Sequence, residues 1–322
     1  MEGRMGLGQA GQVGGAATER AAPTPMLYLD GTVMPLETGR VGVEDRGFQL
    51  GDGVYEVVKV CGGRLLWLED HLERLAWSLE QILLPEALDD HQLSAVLPTL
   101  VSRSGVTEGA VYVQVTRGVA PREFALPVGV PATVLAYVRG QVFPGAAEIL
   151  AGISLHAVED QRWARCDIKS TNLLPAVLAK EAARKAGAHE AMYVSPEGIV
   201  REGGSSNVFL VLDGVLRTHP ANNRILNGIT RCHALEAAWA LGLTVVEEGV
   251  PFEDLHRVEE MFIASTTRDV MPVVRVGGLG MSDSPVGGGV PGPVTLALVD
   301  AMREHVARAV GGVPPPPLLA HS

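Results

Sequence analysis

One lysine stands where chemistry would need an amine. Lys169 lies in the run Arg165-Cys166-Asp167-Ile168-Lys169-Ser170-Thr171-Asn172-Leu173-Leu174. The 322-residue chain carries 26 Lys and Arg residues, yet its only lysines are Lys59, Lys169, Lys180 and Lys185. Arginine stays protonated, whereas a lysine amine can lose its proton and attack a carbonyl. Lys180 and Lys185 fall on a helical pattern from Thr171 to Ala186 and read as solvated. Lys59 falls in a strand-like run, Val54 to Val60. Lys169 follows a short apolar–polar alternation and precedes that helix, a junction that can aim a side chain into a cleft. A surface-loop lysine fits the same pattern, so the rest of the chain must decide.

Four further features bear on the same chemistry. Arg201-Glu202-Gly203-Gly204-Ser205-Ser206-Asn207 precedes the apolar strand Val208 to Leu212 and offers Glu202 as a carboxylate for a pyridine nitrogen. An exposed turn glutamate would look the same. Asn227-Gly228-Ile229-Thr230-Arg231 opens a helix, whose free N–H groups and positive end suit a phosphate. Thr230 also reads as a plain N-cap. Ala264-Ser265-Thr266-Thr267 follows an apolar strand, where small hydroxyls can hold phosphate oxygens or make an ordinary turn. Arg74 lies on a helix whose opposite face is apolar, and either pairs with a phosphate or is solvated. Together these features point toward pyridoxal 5′-phosphate, with Lys169 as the amine that bonds its aldehyde.

Other chemistries find less support. His71 and His91 have no partners at metal-ligand spacing, so no metal ligands are expected. Gly51-Asp52-Gly53 lacks the strand–helix context of a dinucleotide fingerprint, and Ser205 lacks a hydrolase elbow. The net charge of −11 with no basic block argues against nucleic acid and anionic membranes as partners. No apolar run is long enough to span a bilayer, and no secretory signal is evident. Cys61, Cys166 and Cys232 match no zinc spacing, so they read as core-filling thiols in a reducing cytoplasm.

The elements around these residues read as two α/β halves joined by a linker. Residues 1–25, rich in Gly and Ala, read as a disordered tail, as sequence ahead of a second start at Met26, or as a cloning remnant. An N-terminal α/β domain is expected over 26–143. It has strands at Met26 to Leu29, Val54 to Val60, Arg64 to Leu68, Ala110 to Arg117 and Ala132 to Arg139, and helices at Asp70 to Leu83 and Leu93 to Ser102. Gly140 to Ala147 reads as a linker. A C-terminal α/β domain is expected over 144–311, with the helix Thr171 to Ala186, strand pairs through Leu216, and the helix Thr230 to Leu241. Strands follow at Thr244 to Glu248 and Glu260 to Ala264, the second preceded by a short acidic helix. Gly277 to Pro293 reads as a loop, Val294 to Val310 as a terminal helix, and 312–322 as a disordered tail.

Several spaced motifs then carry a resemblance. Glu44 to Glu56, Cys166-Asp167-Ile168-Lys169-Ser170, Glu202 to Asn207, Thr218-His219-Pro220-Ala221-Asn222-Asn223, Gly228 to Arg231 and Ser265-Thr266-Thr267 resemble the fold-type IV pyridoxal-phosphate aminotransferases, nearest their D-amino-acid branch. The likeness runs from about Met26 to Gly277. It implies a two-domain α/β fold, a homodimer, and cofactor in the interdomain cleft. It makes Lys169 the Schiff-base lysine and Glu202 the pyridine-nitrogen partner. Arg74, Ile229, Thr230, Ser265 and Thr266 become phosphate ligands. Tyr55 and Tyr112 become pocket residues, the latter of a kind often supplied across the dimer, while Asn222 and Asn223 shape a loop. The family's D-amino-acid members bind the substrate carboxylate with an Arg-x-His pair. Here the loop reads Arg122-Glu123-Phe124, so Phe124 replaces the histidine. That weakens the clamp or favours a bulkier, less polar substrate, unless Phe124 is only a packing residue.

The resemblance implies a ping-pong transamination. A D-amino acid of the D-alanine or D-glutamate type would give its amino group to the cofactor, and a 2-oxo acid would receive it. Branched-chain (L) aminotransferase, aminodeoxychorismate lyase and amine transaminase are the alternatives within the family. A non-catalytic dimeric homologue is the alternative of another class, and it predicts a disrupted lysine or acid.

Overall fold

The computed structural model describes residues 25–88 and 91–318. Apart from Pro25, the expected N-terminal tail lies outside the described residues, as do residues 319–322. The first half of the chain contains β1 (Met26–Leu29), β2 (Thr32–Pro35), α1 (Arg46–Leu50), β3 (Gly53–Cys61), β4 (Arg64–Leu65), α2 (Leu68–Gln81), α3 (Leu93–Ser104), β5 (Gly109–Thr116) and β6 (Thr133–Gly140). Its strands form one antiparallel sheet in the order β2-β1-β6-β5-β3-β4. Leu75 and Leu79 of α2 and Leu97 and Leu100 of α3 cover one face of it and are fully buried.

Strand alternation on β3 sorts its residues by face. Successive side chains of a strand point to opposite sides. Glu56 and Val58 are buried in the helix-side core, while Tyr55 and Val57 line the cleft toward the second half. Lys59 faces the same way as Tyr55. Its Nζ lies 2.5 Å from Asp269 Oδ2 in the second sheet and 4.3 Å from the centre of the Phe143 ring. It ties the two halves together.

The second half begins at α4 (Ala146–Ala151), which intrudes on the expected linker; Gly145 N–H donates to Glu148 across its first turn, at 3.0 Å. The elements β7 (Ile153–Glu159), α5 (Leu174–Lys185), β8 (Glu190–Val194), β9 (Val200–Gly203), β10 (Asn207–Leu212) and β11 (Val215–Thr218) follow. Next come α6 (Ile229–Ala240), β12 (Val245–Glu247), β13 (Glu260–Ser265), β14 (Asp269–Gly278), β15 (Met281–Pro285) and α7 (Pro293–Ala309). Among the described residues the nine strands form one mixed sheet, with parallel pairs at β11–β12, β14–β7 and β7–β8. Phe209 and Phe262 stack at 4.7 Å in its core. Burying such a ring contributes about 1.5–3 kcal/mol.

Three local expectations shift. The helix expected from Thr171 starts at Leu174, because Thr171 N–H donates to Gly53 O and its hydroxyl reaches Gly51 O. Those bonds hold residues 171–173 as loop, and Pro175 then suits the first helical turn. The expected loop after Gly277 contains β15, turned back on β14 through Leu279 and Gly280, both at positive φ. Its sequence, Met281-Ser282-Asp283-Ser284-Pro285, has no β-branched residue. Pairing with β14, itself held by β13, makes it a strand, not propensity. The short acidic helix is a 3-10 turn, Phe252–Arg257. Beyond α7, Leu318 N–H donates to the Asp300 carboxylate, so the chain as far as 318 lies along that helix.

Candidate active site

Lys169 reaches the interface of the two halves because its loop docks as a short strand on β3. Tyr55 N–H donates to Lys169 O at 2.9 Å, and Ser170 bridges to Val54. Ile168 sinks into the core of the first half, and Cys166 N–H donates to Asn223 O of the second. The backbone on either side of the lysine is therefore held by both halves. Its Nζ sits 4.3 Å from the centre of the Tyr55 ring. Of the other lysines, Lys185 is solvated as expected, Lys180 reaches His189 O, and Lys59 is the buried tie to Asp269.

A cleft of about 570 Å³ opens around Lys169. Its walls come from Tyr55 and Val57 of β3, the 162–176 segment, Glu202 to Asn207, Leu226 to Thr230, and Ala264 to Thr267. Of the residues singled out by sequence, Lys169, Glu202, Ile229, Thr230, Ser265, Thr266 and Tyr55 meet here. They span 212 positions of chain, from 55 to 266.

Glu202 is not an exposed turn residue. It lies in β9, is 4% exposed, and accepts from Arg162 Nη1 at 2.5 Å, Leu226 N–H at 3.1 Å and Asn207 Nδ2 at 3.2 Å. Burial outweighs Arg162 and pushes its pKa up to about 7. Arg162 had no mark in the sequence. It pairs with Asp160 through Nε and Nη2, each at 2.9 Å, and lies 4.0 Å over the Tyr193 ring. Arg201 also holds Asp160, at 2.7 Å. Two acids and two arginines thus form a chain that starts in the cleft wall at Glu202 and Arg162 and runs behind it through Asp160 to Arg201.

The opposite end of the cleft suits an anion. Gly228 is the N-cap of α6, and no side chain caps it. Thr230 is therefore two residues into the helix rather than its cap. Among the described residues its hydroxyl is buried without a partner, as is that of Ser206, and both residues line the cleft. A buried unpaired hydroxyl costs about 1–3 kcal/mol unless a ligand meets it. Gly228 is required by packing, since a Cβ there would sit 2.2 Å from Asn207 Oδ1. Free helix N–H groups, orphaned hydroxyls, and Ser265 and Thr266 across the cleft fit a phosphate. With the amine of Lys169 and the carboxylate of Glu202, this donor set fits pyridoxal phosphate.

Four expected site residues do not line the cleft of a single chain. Arg74 is neither solvated nor in the cleft wall, because Glu56 takes its guanidinium in a fork at 2.7 and 2.9 Å. It touches the phosphate-side turn only through Asn227 O, at 2.8 Å. Burial alone would raise Glu56, but Arg74 and His71 overcome it and hold the carboxyl down at about 2. Tyr112 stacks between Tyr55 and Tyr137 and donates to Gln114 at 2.7 Å. Arg122 and Phe124 remain on the exposed 119–131 loop, with Phe124 84% exposed and Arg122 5.9 Å over its ring. Among the described residues the Asn222 and Asn223 side chains bond only to backbone, Asn222 accepting from Arg224 N–H nearby and Asn223 donating to Ala164 O on the segment that leads to Lys169. Of the three thiols only Cys166 is buried; Cys61 and Cys232 are half-buried, so core filling describes one of them.

A family model, amino-transferase class IV, matches residues 53–276. The chain belongs to the class IV aminotransferases. These enzymes use pyridoxal phosphate, which the donor set of the cleft fits. The chain is 38% identical to a D-alanine aminotransferase of Bacillus licheniformis over 280 residues, covering 87% of this chain and 96% of that one. It is 40% identical to a D-alanine aminotransferase of Listeria innocua, covering 84% and 92%. Its fold matches a branched-chain aminotransferase of Thermoproteus uzoniensis, solved with norvaline, at a TM-score of 0.73 and 27% identity, covering 88% and 95%. The enzyme moves amino groups between amino acids and 2-oxo acids, and no described helix is long and apolar enough to cross a membrane.

Proposed function

We propose that this enzyme transfers an amino group between a D-amino acid, of D-alanine or D-glutamate type, and a 2-oxo acid by a ping-pong mechanism. The observation that carries the reading is the meeting of Lys169 and Glu202 in one cleft with the uncapped start of α6. The D-substrate rests on the 38–40% likeness to D-alanine aminotransferases over most of both chains. Bound in the cleft, the cofactor supplies a carbonyl that takes the amino group and a ring that accepts electrons from the substrate Cα.

The chain's own groups do the rest. Lys169 Nζ would tether the cofactor between turnovers and, once freed, would carry the proton taken from the substrate Cα. Tyr55 walls the amine on one side. Glu202 would hold the proton of the ring nitrogen, with Arg162 orienting the carboxylate. Ile229 and Thr230 bind the phosphate, with Ser265 and Thr266 opposite. Arg74 acts on it at one remove, by fixing Asn227. Arg122, with Phe124 beside it, binds the substrate carboxylate from an exposed loop, and Tyr112 backs Tyr55. This assignment is met in a homodimer, for which Leu174, Val177 and Leu178 present an exposed apolar stripe on α5. Three free thiols suit a reducing cytoplasm.

A panel of paired D- and L-amino acids, with release of the oxo acid followed, tests the reading. Turnover of D-alanine with 2-oxoglutarate, abolished by Lys169→Ala, is expected. Preference for L-leucine would replace it with the branched-chain reading, and pyruvate from aminodeoxychorismate with the lyase. Amine donors lacking a carboxylate would make it an amine transaminase. Absence of turnover on every donor, with no yellow colour on adding cofactor, leaves the non-catalytic homologue.

A further inference from the structure

Helix α6 carries a second constellation beyond its first turn, among residues that do not line the cleft. His233 and Glu236 are three residues apart and share a helix face. His305 meets them from α7. His305 Nε2 lies 3.3 Å from His233 Nδ1, and Glu236 Oε2 lies 3.2 Å from that same nitrogen. One coordinating atom from each side chain falls within 4.8 Å of the other two. Nitrogen and oxygen ligands about 2.0–2.2 Å from a tetrahedral ion stand about 3.3 Å apart. The two shorter edges of the cluster already have that length.

Hydrogen bonding accounts poorly for this arrangement. His233 Nε2 lies 2.9 Å from Asp70 Oδ2 of α2, so its proton is directed to that carboxylate. In the neutral ring Nδ1 is then a lone pair. It faces Glu236, which has only lone pairs to offer, and His305. A proton on Nδ1 could satisfy one of the two neighbours; a cation satisfies both. A carboxylate behind an imidazole is also the arrangement that orients metal-binding histidines. Trp67 stacks on the His233 ring at 3.9 Å and holds its plane.

We propose that His233, Glu236 and His305 bind one divalent transition-metal ion of the zinc type. The ion joins α6 to α7, with its fourth position open to water beside the exposed Glu236. Residues 233 and 305 are 72 apart in sequence, so no spacing rule finds them. The ion is distant in role from transamination and acts on the fold, through the helix whose first turn faces the cleft.

Untagged holoenzyme, stripped with a chelator and moved to metal-free buffer, tests this by calorimetric titration with zinc chloride and by thermal unfolding. One saturable site per chain and a higher Tm with zinc are expected. Glu236→Gln and His305→Gln should each weaken binding at least about tenfold and abolish the rise in Tm. The Glu236 side chain is largely exposed, so its variant should keep the metal-free Tm of the parent. Cys232→Ser should leave the isotherm unchanged. Absence of saturable binding overturns the proposal and leaves His233 as a proton-mediated bridge between Asp70 and Glu236. A site that survives both substitutions, or is lost with Cys232, overturns it equally.

Discussion

Arg162→Met removes the guanidinium that Glu202 and Asp160 share, while keeping a stem of similar length against Tyr193. Four hydrogen bonds disappear, one to Glu202 at 2.5 Å, two to Asp160 at 2.9 Å and one to Arg224 O at 3.4 Å. Asp160 keeps Arg201 at 2.7 Å, but Glu202 keeps only neutral donors, Asn207 and the Leu226 N–H. Removing one partner of a buried pair costs about 3–5 kcal/mol. Glu202 escapes part of that by taking up a proton. Its folded pKa is already near 7, against an ordinary value of 4.5, and loss of Arg162 raises it further. Between the ordinary and the folded value the native state holds a proton that the unfolded chain has released. Stability therefore falls as pH rises through that window. In the parent the window closes near pH 7; in the variant it stays open above that. The penalty should be smaller at about pH 6 than at about pH 8.5, by about 1.4 kcal/mol for every tenfold weakening of the acid. Urea unfolding of the cofactor-free protein at both pH values, followed by tryptophan fluorescence, measures it. A penalty below about 1 kcal/mol, or one that does not grow with pH, refutes the reasoning, because Arg162 would then behave as an exposed ion-pair partner.

The other expectations follow the same logic. Lys169→Ala should bring transamination to background while far-UV circular dichroism stays that of the parent. Thr230→Val exchanges an orphaned buried hydroxyl for a methyl; cofactor affinity should drop about tenfold with no loss of cofactor-free stability, read by absorbance titration and by urea midpoint. A drop in both would make Thr230 a structural residue. Glu56, held at about 2, contributes about 3 kcal/mol that is present above its ordinary value of 4.5 and is lost as pH falls toward 2. Arg74→Met should remove most of that acid sensitivity together with the stability itself, which acid titrations of the two proteins would show. Phe124→His should raise kcat/KM for D-alanine relative to a bulky apolar D-amino acid. Because Phe124 is so exposed, Tm should not change; an unaltered substrate ratio would assign the ring no part in specificity.

What could be read along the chain was whatever local periodicity and chemical type determine. The apolar face of α2, the alternation of β3 and the turn glycines each follow from backbone geometry within a few residues. The lysine of the 165–174 run, the glutamate before Val208 and the helix opening at Gly228 could be named because each lies in a short run of distinctive residues. Pairing across elements obeys no such rule. Arg162 meets Glu202 across 40 residues, Lys59 meets Asp269 across 210, and Arg74 leaves the cleft wall for Glu56 because both sit on the helix side of β3. The same long-range register decides that β15 is a strand despite its composition. It also strands Arg122 and Phe124 on an exposed loop, and it gathers His233 and His305 onto neighbouring helices. Local sequence thus determined which groups could react, and the docking of one sheet on the other decided their charge, their partners and their access to the cleft.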